Sequence, residues 1–149
     1  MNEGDFRTTR RRLPHWHLDG ATYFITFRLL HGELCGDEIV LVRDHIVAGH
    51  GRFYDLIALM VMPDHVHVAL RPRDGYDLSR ITKGMKGVSA RLLNQRRGAS
   101  GAVWQDESWD RIVRDHDELV RELDYMFDNP RRAGLIEDPF HWTGWWYRP

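Results

Sequence analysis

Residues Thr22 to Leu30 (TYFITFRLL) are almost all β-branched, aromatic or aliphatic, a run that predicts a central strand buried on both faces. Gly32 to Gly36 reads as a loop, and Asp37 is placed to cap a helix running to about Ala48. Ile39, Val42, Ile46 and Val47 would face inward on it. Leu56 to Met62 and His65 to Leu70 are two more apolar runs, and the Pro63-Asp64 turn between them predicts a hairpin. Leu78, Ile81, Met85, Val88 and Leu92 recur at helical spacing, so a long amphipathic helix follows, ended by the Gly98 to Gly101 segment. Val103-Trp104 and Arg111 to Arg114 each read as a short strand. A last helix is predicted from Asp115, with Glu118 three residues on as a capping-box signal, to Asn129, because Pro130 disfavours helical geometry in the residue before it.

This order of elements fits an α+β, ferredoxin-like sandwich, an antiparallel sheet carrying helices. Neither a repeat nor a linker interrupts it, so residues 1–149 read as one domain. Residues 1–20 form a basic arm, and the Trp-rich tail 136–149 is expected to pack back on the body.

Composition narrows the setting. Of the 149 residues 42% are apolar and 29% charged, enough to fill a core. No apolar run approaches the ~20 residues that cross a bilayer, no secretory signal opens the chain, and a cytoplasmic protein is expected. The single cysteine, Cys35, excludes a disulfide framework and a cysteine-built zinc site. The net charge is −1, yet it is unevenly spread. Arg71 to Arg97 holds eight Lys/Arg against two Asp, while Gln105 to Asp128 holds nine Asp/Glu against three Arg. One face for a polyanion and another for cations fits this split; ordinary solvated helix faces fit it too.

Candidate chemistry concentrates in two places. In Met62-Pro63-Asp64-His65-Val66-His67-Val68, strand alternation turns His65 and His67 to one face and Val66 and Val68 to the other. Two neutral imidazoles on a rigid strand make half a metal site, or two half-exposed histidines on a wet sheet face. In the last helix Leu119, Leu123 and Phe127 form the apolar stripe, so Tyr125 falls on the polar face, with Asn129 one turn on. A surface tyrosine is the plain reading. The chemical reading is two imidazoles and one amide oxygen around a cation, with a phenol beside them. A phenol of pKa ≈ 10 is a poor nucleophile at neutral pH. A divalent ion on a phosphodiester oxygen would assist its attack. The mixed N/O ligand set suits Mg²⁺ or Mn²⁺.

Five ordered motifs then resemble the HUH single-tyrosine transposases, and more closely the REP-associated tyrosine transposases, which act on repetitive extragenic palindromes. They are Arg11-Arg12-Leu13-Pro14-His15-Trp16 with Ala21 to Arg28, Val61 to His67, Lys86 to Arg91, Trp104 to Arg111, and Tyr125 to Pro130 with Ala133-Gly134-Leu135. The resemblance implies single-stranded DNA bound next to a hairpin. Tyr125 would be the nucleophile, His65 and His67 metal ligands, and Asn129 the third ligand. Cleavage would leave a 5′-phosphotyrosine and a free 3′-hydroxyl. One departure is Arg131, where an apolar residue is expected after Pro130. Arg80, Lys83, Arg91 and Arg97, on one helix face, are the main candidates for phosphate contact, with Arg10, Arg11 and Arg12 on a hairpin stem and Trp16 on an unpaired base. A monomer or a homodimer fits equally. Two other readings stay open: a non-catalytic nucleic-acid-binding module, and a metal-dependent nuclease using activated water.

Overall fold

The computed structural model describes residues 20–148, so Arg10, Arg11, Arg12 and Trp16 lie outside the described residues. Among the described residues, five strands and three α-helices follow one another as β1 (Tyr23–Leu29), α1 (Gly36–Ala48), β2 (Tyr54–Val61), β3 (His65–Pro72), α2 (Leu78–Arg97), β4 (Trp104–Ile112), α3 (His116–Arg132) and β5 (Trp145–Tyr147). The sheet order is β4-β1-β3-β2-β5 and all four pairings are antiparallel. Its first six elements are the βαββαβ frame of a ferredoxin-like sandwich, as the pattern predicts. Among the described residues no helix is long and apolar enough to cross a membrane.

Strand alternation splits the core in two. Ile25, Phe27, Val66, Val68 and Leu70 face α1 and α2, meeting Ile39, Val42, Ile46, Ile81, Met85 and Leu93. Phe24, Ala69, Ala58 and Met60 face the other way, toward Met126, Leu119 and Leu123 of α3. Both sheet faces are therefore covered, which is why β2 and β3 read as continuous apolar runs.

Four local expectations are corrected. Cys35, not Asp37, is the N-cap of α1, because the Glu38 carboxylate accepts the Cys35 N–H at 2.9 Å and starts the helix two residues earlier. The two short strands read around Val103 and Arg111 are one strand, β4. Among the described residues it is an edge strand paired only with β1, and its exposed polar residues hide the alternation. The third is α2, whose buried line runs Ile81, Thr82, Met85, Ser89, Leu93, leaving Val88 and Leu92 half-buried. Ser89 Oγ accepts the Trp104 indole N–H at 2.9 Å, so a small polar residue belongs at that helix–strand contact. Finally, α3 runs through Pro130 to Arg132. Proline there deletes one hydrogen bond in the last turn, and its ring is buried, so packing overrides the local bias.

The tail returns to the body as β5, pairing Leu59 with Trp146 and Met60 with Trp145. Gly144 admits this approach, since a Cβ there would collide with the Val61 carbonyl. The Trp142 indole N–H donates to that same carbonyl at 2.9 Å.

Candidate active site

The α3 side of the sheet carries the candidate chemistry. His65 and His67 leave β3 on this face, their rings 4.7 Å apart and nearly perpendicular. Each uses its Nδ1 on a protein oxygen. His65 Nδ1 lies 2.7 Å from Asp64 Oδ1, and His67 Nδ1 lies 2.9 Å from Thr26 Oγ1. Thr26 is the β1 residue directly across from His67 in register. A proton held on Nδ1 leaves the Nε2 lone pair free, the tautomer that ligates metal. Burial above all, then the charges of His65, Arg28 and Arg132, lowers the pKa of His67 to about 3, so the imidazole is neutral at physiological pH.

Tyr125 sits on the outer face of α3 and is 54% exposed. The Arg132 guanidinium lies 3.9 Å from its ring centroid and donates to its carbonyl oxygen at 3.1 Å. This holds the ring from one side. His67 and Tyr125 line one cleft of about 310 Å³, together with Thr26, Trp109, Arg111 and Glu122. Asn129 follows Tyr125 by one turn and is half-buried. Among the described residues its carboxamide has no hydrogen-bond partner. No group of three His, Cys, Asp or Glu gathers among the described residues, so a metal held here needs a ligand of another type, as an asparagine oxygen is. Two imidazoles with engaged Nδ1 atoms, that of His67 held neutral, and a free amide are donors of the kind that fit a divalent cation.

The remaining candidates are dispersed. Arg80, Lys83 and Arg91 are exposed on α2, on the sheet face opposite the histidines. Arg97 is bound to the buried Glu38 carboxylate at 2.5 and 3.2 Å. Arg131 forks onto Asp128 at 2.6 and 2.8 Å, which accounts for a charge after Pro130. Sequence reasoning missed Arg132, and Thr26, Trp109 and Arg111 stood in motifs without a role. Arg111 joins β4 to α3 through Glu118 and Glu122, each at 3.0 Å. Asp64 had a signal of the same kind, as the neighbour of His65 in its motif.

The site thus combines a ferredoxin-like sheet, an H-x-H strand and a helix-borne tyrosine that lines one cleft with His67. Residues 47–113 match the family model for IS200-like transposases. The chain is 25% identical over 99 residues to a candidate REP-associated tyrosine transposase of Haemophilus influenzae, covering 60% of this chain and 56% of that one. It thus spans little more than half of that relative. Over 131 residues it is 21% identical to the REP-associated tyrosine transposase of Escherichia coli K12, covering 85% and 76% of the two chains. The structure of a REP-associated tyrosine transposase bound to a REP hairpin superposes with TM-score 0.68 at 23% identity, over 83% of this chain and 74% of that one. The chain is thus similar to IS200-like transposases over residues 47–113 and to REP-associated tyrosine transposases over much of its length.

Proposed function

We propose that this chain binds DNA hairpins of the REP type and cleaves and rejoins the adjoining single strand through Tyr125. The observation that carries the reading is that His67, held neutral, and the exposed phenol of Tyr125 line one cleft. The phenolic oxygen attacks phosphorus, the P–O3′ bond breaks, the phenol loses its proton and the 3′-oxygen gains one. A 5′-phosphotyrosine and a 3′-hydroxyl result, and a nucleic-acid hydroxyl reverses the step without ATP because the phosphoester is retained. His65, His67 and Asn129 would hold Mg²⁺ or Mn²⁺, which when bound supplies Lewis-acid polarisation of the phosphoryl oxygen. Thr26 and Asp64 fix the imidazole tautomers, and Arg132 holds the ring. Arg111, at the cleft wall, offers charge to a phosphate beside its two carboxylates.

Arg80, Lys83 and Arg91 would contact DNA backbone on the opposite face of the sheet, with Arg10, Arg11, Arg12 and Trp16 as further contacts from the arm. Arg97, engaged by Glu38, is the weakest member of the set. The test is incubation with a hairpin-flanked oligonucleotide and Mn²⁺, followed by a denaturing gel. A protein–DNA adduct is expected. Cleaved DNA without any adduct would instead support hydrolysis by activated water, and binding without cleavage the non-catalytic module.

A further inference from the structure

On the helical face, far side of the sheet from the histidines, a second cleft of about 330 Å³ opens between α1 and α2. Three aromatic residues line it, of which Tyr54 is buried. Phe53, on the turn after α1, meets Tyr76, on the loop before α2, edge to face at 5.2 Å. A backbone hydrogen bond from Arg73 N–H to the Phe53 carbonyl, at 3.1 Å, ties turn to loop. Each ring carries a guanidinium: Arg52 lies 5.1 Å from the Phe53 centroid and Arg80 lies 5.5 Å from that of Tyr76. Neighbouring Arg73 has a carboxylate, Asp55, at 3.0 Å. Arg52 and Arg80 have no ion pair among the described residues. Gly84 lines the cleft from mid-helix, where glycine costs about 1 kcal/mol against alanine, and an added Cβ there would find no atom within 4 Å.

We infer that this cleft is a nucleotide site, in which an unpaired base of bound single-stranded DNA stacks against Phe53 and Tyr76 while Arg52 and Arg80 take the flanking phosphates. An apolar partner alone would not use two guanidiniums, and a phosphate alone would not use two rings. A nucleotide presents both, and the volume lies in the range of about 300–1,000 Å³ typical of small-ligand sites. Base stacking on aromatic rings is sequence-tolerant, and arginine adds cation–π attraction and a fork for phosphate. His45 also lines the cleft. Burial and the charge of Arg91 hold its pKa below the usual range, so it meets the base neutral, with one ring nitrogen donating and one accepting. The inference rests on the reading of the chain as a single-strand DNA enzyme and gives its helical face a specific role.

The probe is an eight-nucleotide oligothymidylate carrying 5-iododeoxyuridine, irradiated on the full chain and mapped by peptide mass spectrometry, with Kd measured in parallel. Crosslinks at Phe53 or Tyr76 are expected. Phe53→Ala and Arg52→Gln should each weaken binding about tenfold, the loss of one stacked base or one phosphate contact. Gly84→Gln fills the cleft from a helix position with room for it, so it should weaken binding while keeping or raising Tm, which a folding defect cannot imitate. Crosslinks that avoid both rings, an unchanged Kd in Gly84→Gln, or no binding of the oligonucleotide would each overturn the site. A chain that binds in this way yet forms no adduct keeps the site and loses the catalytic reading. Adduct formation with unchanged Kd in Gly84→Gln does the reverse.

Discussion

Replacing Glu38 by glutamine removes one charge from the contact that joins the start of α1 to the end of α2. Glu38 is 6% exposed, accepts the Cys35 N–H and takes both Nε and Nη2 of Arg97. The hydrogen bond from Arg97 is the largest cause that lowers its pKa, from 4.5 to about 2. At about 1.4 kcal/mol per pH unit that shift would correspond to roughly 3 kcal/mol. The Arg97 side chain is a third exposed and solvent screens the pair, so about 2 kcal/mol is the expected value. Glutamine still accepts the Cys35 N–H, so the substitution isolates the charge. Because the folded pKa lies below the unfolded one, the contribution is complete above pH 4.5. It declines as pH falls from 4.5 toward 2. Urea unfolding of both proteins from pH 7 to pH 2.5 should therefore show a gap of about 2 kcal/mol that narrows below pH 4.5. A gap under about 0.5 kcal/mol at pH 7, or one that does not narrow, would refute the reasoning.

Three further outcomes follow from the geometry. Thr26→Val deletes the oxygen at His67 Nδ1 and should raise the Mn²⁺ concentration needed for half-maximal adduct formation about 10- to 100-fold, read by titrating the metal in the gel assay, with little change in Tm. Gly144→Ala drives a methyl against the Val61 carbonyl under β5 and should lower stability by about 1–3 kcal/mol, measured by thermal melting. Arg132→Gln removes the cation stacked on the Tyr125 ring; adduct formation should slow while hairpin affinity, read by gel shift, is kept.

The frame was legible because both faces of the sheet are covered, so β1, β2 and β3 appear as unbroken apolar runs and α2 as a regular stripe. What escaped depends on contacts distant in the chain. β4 is polar since it is an edge, and β5 is three residues whose partner is Leu59 of β2. Pro130 stays helical through burial of its ring, which no local rule contains. The same division runs through the site. Alternation alone put His65 and His67 together, and helical phase alone put Tyr125 on the open face. The Thr26 hydroxyl is 41 residues from His67, and nothing in the sequence linked the two. Arg97 looked free on a helix face because its partner Glu38 is 59 residues away. A basic stripe thus overcounts phosphate contacts whenever an acid from another helix reaches it.

The most direct test of the central claim is peptide mapping of the covalent complex formed with a hairpin-flanked oligonucleotide and Mn²⁺. The account predicts a nucleotide phosphate on the Tyr125 side chain and no complex at all from Tyr125→Phe. A complex of undiminished yield from Tyr125→Phe, or a modified peptide from any other part of the chain, would contradict it.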